Sequence, residues 1–164
     1  MKKKIFMVLS VLPWLLLGAA LVWFLFSYSS LPERIGVHFG PDGDFDVIAE
    51  KVFGFYPFAA GTILMILFSV VGHFAGKIKN TGAKITSEGD KVLRSLIRGF
   101  VCFLCWVWSV FFTRWTYSVI TQTPNNLVFL QIISAAFFFS IPAFIAAFIF
   151  IRIKYRKRKN TDIS

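Results

Sequence analysis

The sequence predicts an all-α integral membrane protein, with four transmembrane helices and a short extracytoplasmic hairpin after the first. Three observations point there. Apolar residues make up 57% of the chain and the mean hydropathy is +0.70, above the roughly 45–50% apolar content of a soluble domain. The apolar residues gather into four long blocks. The charged residues fall almost entirely between those blocks. At 164 residues the length fits a single domain, 1–164.

The four helices are expected at about 5–28, 54–76, 95–120 and 127–151. Each carries about the 20 apolar residues that cross roughly 30 Å of hydrocarbon. A helix satisfies its own backbone hydrogen bonds, so it is the natural spanning element. Within the apolar runs, the third of which begins at Gly99, only His73 and Arg114 are histidine or charged, and both lie near an end. Lys2, Lys3 and Lys4 precede the first run in the manner of a signal peptide. That run is too long for such a segment and no small-residue cleavage site follows, so it reads as a retained helix.

Charge sets the orientation. Fifteen of the 18 lysines and arginines lie in the amino terminus, the linker 77–98 and the tail. The positive-inside rule places these in the cytoplasm, both termini included, in a multi-pass protein of the cell membrane. The basic inner linker (77–94) and the basic tail (152–164) are expected to meet anionic lipid headgroups, and no nucleic acid is expected.

The outer loop, 29–53, is the opposite in charge. It holds five of the eight acidic residues: Glu33, Asp42, Asp44, Asp46 and Glu50. Leu31-Pro32 marks the exit from the first helix, because the residue before proline disfavours helix. Ile35, Val37 and Phe39 alternate with Arg34, Gly36 and His38, a period of two that predicts a strand with one apolar face. Gly40-Pro41-Asp42-Gly43 predicts a tight turn. Phe45 and Val47 then read as a return strand. The other outer loop, TQTPNN, reads only as a polar turn.

The pattern Leu31, Pro32, Ile35, His38, Phe39, Gly43, Asp46 and Lys51 resembles the bacterial membrane family known as domain of unknown function 1648. That family typically carries Leu-Pro-x-x-Ile-Pro-x-His-Phe, then Gly, Asp and Lys, after its first transmembrane helix. Gly36 departs from the pattern, standing where the family has its second proline. The resemblance covers about 70 residues. Its best-understood relatives, the Sdp-type immunity proteins, protect bacteria from a secreted peptide toxin. The resemblance therefore implies a non-enzymatic role in immunity or in sensing a membrane-active peptide. The later immunity portion of those relatives has no evident counterpart here.

The candidate binding residues are His38, Asp42, Asp44 and Asp46. Imidazole and carboxylate oxygen can hold a divalent cation, and acids at every second position imitate the start of a calcium loop. That loop needs Gly at its sixth position and Glu at its twelfth, where Val47 and Phe53 stand. The incomplete set favours His38 holding the hairpin through a carboxylate or backbone group, and leaves metal binding open. Glu50-Lys51 reads as a solvated pair. Arg114 reads either as a clamp on a loop carboxylate or as a snorkelling cation. Cys102 and Cys105, on one apolar helix, read as reduced and buried.

No enzymatic constellation and no cofactor are expected. The alternative function is a small transporter or transporter subunit. It would need a polar pathway across the membrane, and the uncharged Thr and Ser residues of the helices offer little for one.

Overall fold

The computed structural model describes residues 2–75, 77 and 85–156. Residues 1 and 76, part of the linker (78–84) and part of the tail (157–164) lie outside the described residues. Four α-helices follow in order: α1 (Lys2–Ser27), α2 (Tyr56–Ala75), α3 (Ser87–Thr121) and α4 (Leu127–Lys154). All four are long and apolar enough to cross a membrane. Between α1 and α2 lie two antiparallel strands, β1 (Arg34–Phe39) and β2 (Phe45–Glu50). A 3-10 turn at each side, Tyr28–Ser30 and Lys51–Phe55, joins them to the helices. The bundle thus has a basic end and a hairpin end.

The third helix differs most from its expected bounds. It begins at Ser87, so residues 87–94, read as linker, are helical. With 35 residues it is about 52 Å long at 1.5 Å per residue, well beyond a bilayer's hydrocarbon. Hydropathy registers only its apolar part and misses the polar first turns. Those turns hold together by other means. Thr86 caps the helix, accepting a hydrogen bond from the Gly89 N–H at 3.2 Å, which satisfies one of the unpaired first-turn donors. Asp90 and Arg94 pair at 2.8 Å one turn apart.

α3 packs against all three other helices and sits at the centre of the fold. The main core lies towards the hairpin end. Phe24 of α1, Ile35 of β1, Met65 of α2 and Val119 of α3 are fully buried there together. Phe24 meets Phe55 edge to face, with centroids 4.9 Å apart, a favoured arrangement for aromatic quadrupoles. α4 lies on the far side of α3 and leaves large apolar side chains such as Phe138, Phe139 and Phe150 exposed. Its basic end is tied back through the Thr86 N–H, which donates to the Tyr155 carbonyl at 2.9 Å. Ile85, Leu93 and Ile151 form a second small cluster there.

Pro13 sits inside α1. Proline has no N–H, so the Leu9 carbonyl loses its helical donor. α3 replaces it. The Trp106 indole N–H donates to the Leu9 carbonyl at 3.0 Å, and the Cys102 thiol approaches it at 3.5 Å. This exchange fixes the crossing of α1 on α3. α4 runs unbroken through Pro142, where the Ser140 hydroxyl donates to the Phe137 carbonyl at 2.7 Å.

Two tests follow from this packing. Trp106→Phe keeps an aromatic ring, though a smaller one, and removes the donor, leaving the Leu9 carbonyl with the thiol alone. We expect a loss of about 1–3 kcal/mol, read as a lower unfolding midpoint in detergent. An unchanged midpoint refutes the exchange. A methyl group at Gly61 would lie 2.8 Å from the Phe112 ring, whereas one at Gly99 meets nothing within 4 Å. Gly61→Ala should therefore destabilise by about 1–3 kcal/mol, while Gly99→Ala should be neutral or stabilising through helix propensity.

Candidate functional site at the hairpin end

A two-stranded sheet is marginal by itself in water, so the hairpin depends on what it rests upon. Its apolar face follows the expected alternation: Ile35 is buried, Val37 and Phe39 are half-buried, and His38 is exposed. Leu31 is buried beside Ile35 in the core, with Pro32 exposed behind it. Phe39 packs on Phe45 at 4.4 Å and against Trp115 at 5.8 Å between centroids. The register slips between Gly36 and Phe39. Such an irregularity re-aims side chains, and Val47 of the return strand is 47% exposed beside Ile48.

The turn forms as its residues dictate. The Gly43 N–H donates to the Gly40 carbonyl at 3.0 Å, and Gly43 has φ +88°, a left-handed value that glycine adopts without strain. Asp42 accepts a hydrogen bond from the Asp44 N–H at 3.1 Å through its side chain, a local bond typical of turn aspartates.

Three hydrogen bonds dock the hairpin on the end of α3 and the loop after it. The Trp115 indole donates to the Val37 carbonyl at 3.1 Å. The Gly36 N–H donates to the Gln122 side-chain oxygen at 2.8 Å. The Asn125 N–H donates to the Gly43 carbonyl at 2.8 Å. Gln122 is placed for this by its left-handed backbone at the end of α3, φ 51°. The polar loop TQTPNN is therefore a docking element and more than a turn. Gly36 is also explained. A proline there has no N–H for Gln122, and any β-carbon would lie 2.2 Å from the Phe45 ring.

Arg114 does not act as the clamp. Its guanidinium lies over the Tyr117 ring at 4.6 Å, and the neighbouring Trp115 takes the docking role. Lys51 is also differently partnered than expected. It pairs with Glu33 at 2.9 Å, and its N–H donates to the Glu33 carbonyl at 2.9 Å. Glu50 stands opposite Arg34 in the ladder. Lys51 thus closes the base of the hairpin, with its ammonium 5.2 Å from the Tyr28 ring centre.

Of the candidate binding residues, the structure brings two into contact. His38 Nδ1 and Asp46 Oδ1 are 2.6 Å apart across the strands. Asp42 is turned to the Asp44 backbone, and both side chains are exposed. Among the described residues, no three His, Cys, Asp or Glu side chains converge as a metal-binding group. The site is a carboxylate-rich rim with one His–Asp pair, mounted on a docked strand. Sequence reasoning missed Trp115, Gln122 and Asn125, because their partners are backbone groups some 80 residues away. The chain matches no family model, no curated protein and no solved structure.

Docking and display should separate on mutation. Gln122→Ala leaves the Gly36 N–H without its partner and should cost about 1–3 kcal/mol, with faster amide hydrogen exchange along β1. His38→Ala removes a pair whose side chains are 56% and 47% exposed. Such pairs contribute at most about 1 kcal/mol, so β1 exchange should stay close to wild type. Equal exchange in the two variants would contradict the docking scheme.

Proposed function

We propose that this chain is a non-enzymatic, multi-pass protein of the bacterial cell membrane that recognises a cationic, membrane-active peptide at its hairpin. Both termini lie in the cytoplasm, which puts the hairpin outside, where such a peptide arrives. The concentration of lysine and arginine at the other end of the bundle supports that orientation. The resemblance to the domain of unknown function 1648 family, with its immunity relatives, supports the same reading.

The observation that carries the proposal is the asymmetry of the hairpin. β1 is occupied by its bonds to α3 and the following loop. β2 is an edge strand of a two-stranded sheet, beside the exposed carboxylates of Asp42, Asp44 and Asp46. Val47 and Ile48 are exposed on the same strand. A cationic amphipathic peptide finds opposite charge to steer it, apolar side chains to cover, and a strand edge to extend. Recognition by strand addition needs a sheet that stays in place, and the docking bonds provide one.

The test is survival. A sensitive Gram-positive host expressing the wild-type chain is challenged with membrane-active bacteriocins. It is compared with the triple variant Asp42→Asn/Asp44→Asn/Asp46→Asn at matched membrane levels. At roughly 0.5 kcal/mol per rim carboxylate, the variant should bind peptide about tenfold more weakly and lose most of its protection. Glu88→Gln, at the basic end, should protect like wild type. Absence of protection by the wild type against every peptide, or full protection by the triple variant, would overturn the proposal.

A further inference from the structure

A second site lies at the opposite end of the bundle. Between α1, α2 and α3 there is a cavity of about 240 Å³, whose walls include Ser10, Ser69, His73, Cys102 and Arg98. A smaller hollow of about 150 Å³ shares Phe6 and Arg98 with it and adds Lys91 and Ser95. On α3 the contributing positions are 91, 95, 98, 101, 102 and 105. The spacings of three and four among them place them on one helical stripe. The stripe is cationic at the helix start and neutral deeper in.

The deep part is apolar to a ligand despite its serines and cysteines, because those groups are already engaged. The Ser10 hydroxyl donates to the Phe6 carbonyl at 2.8 Å. The Cys102 thiol faces the Leu9 carbonyl at 3.5 Å. The mouth is the reverse. Asp90 and Arg94 answer each other at 2.8 Å, while Lys91 and Arg98 form no ion pair among the described residues. Both are exposed, and among the described residues no carboxylate lines either hollow. Arg98 stands directly before the apolar run of α3. If the helices span a bilayer, that is the level of the lipid phosphates.

We propose that this cavity binds a single anionic phospholipid from the leaflet at the basic end. One acyl chain enters between Ser10, Ser69 and Cys102, and the phosphate rests against Arg98 and Lys91. An apolar slot below two cations, with no carboxylate among its described lining residues, has the polarity profile of such a lipid. The slot is smaller than the roughly 300–1,000 Å³ of a drug-sized site, with room for part of one acyl chain and none for a bulky head. Arg98 supplies the planar, bidentate donor that phosphate favours, and Lys91 a point charge. This inference rests on the membrane-spanning reading but not on peptide recognition.

The experiment places the full chain in nanodiscs of equal phosphatidylglycerol and phosphatidylcholine and extracts it gently. Retained lipid is counted by native mass spectrometry. The wild type should keep one phosphatidylglycerol, preferred over phosphatidylcholine by at least about tenfold. Lys91→Gln/Arg98→Gln should abolish the preference. Ser69→Phe, which fills the slot and leaves both cations, should lose the lipid altogether and keeps the test decisive if the double variant does not fold. Arg152→Gln/Lys154→Gln, basic but on α4, should retain it. Excess inorganic phosphate should not displace the lipid. Equal retention of the two lipids, retention unchanged in both cavity variants, displacement by phosphate alone, or palmitate kept in place of the phospholipid would each overturn the proposal. Survival under peptide challenge is measured separately on the same variants, so either proposal can fail without the other.

Discussion

Three backbone groups that cannot find partners in their own segments are all satisfied by side chains at or near one helix, α3. Pro13 leaves the Leu9 carbonyl of α1 without its helical donor, and Trp106 and Cys102 take it. β1 turns its free Val37 carbonyl and Gly36 N–H toward α3, and Trp115 and Gln122 take those. A backbone group unpaired away from water costs several kcal/mol, so these side chains decide where α1 and the hairpin sit. Hydrophobic contact is undirected and would leave the helices free to slide. The hydrogen bonds set the register, and the packing of Phe24, Met65 and Phe112 fills in around them.

The fourth helix obeys a different logic. It touches the rest of the bundle through α3 alone among the helices named in its closer packing, and its most apolar window has no buried residue. In water such a surface would be a large exposed patch of the kind that drives association. In lipid it needs no protein cover, since acyl chains are as apolar as the side chains. What α4 does need is a fixed end, and the bond from Thr86 to Tyr155 gives it one. Gly89 allows this approach: a β-carbon there would lie 2.3 Å from that of Tyr155.

Features set by local sequence were readable in advance. The four apolar runs, the period-two strand and the Gly40–Gly43 turn each depend on neighbours in the chain, and the structure has all three. Features set by distant partners were not. Arg114 drew attention because a charge stands out in an apolar helix. Trp115 beside it carries no charge to mark it, yet it holds the hairpin. Gln122 and Asn125 had no signal beyond being polar, because their roles exist only once β1 lies above them. The start of α3 was misplaced for a simpler reason. Hydropathy reports where a helix is apolar, and the first turns of α3 are held by a cap and an ion pair. Lys51 was read with its sequence neighbour Glu50, whereas hairpin closure puts Glu33 beside it.

The same division accounts for how the hairpin end can be both rigid and available. A two-stranded sheet cannot hold its shape through its own ladder. Had both strands been covered by the bundle, the carboxylates would have been covered as well. Instead one strand carries the attachment and the other carries the charge. Gly36 sits at the point of compromise. It gives its N–H to Gln122 on one side and accepts the Phe45 ring against its α-carbon on the other. Only a residue with both a free N–H and no side chain meets the two demands together. A proline in that place would have no N–H for Gln122, leaving Trp115 alone to tie β1 to α3.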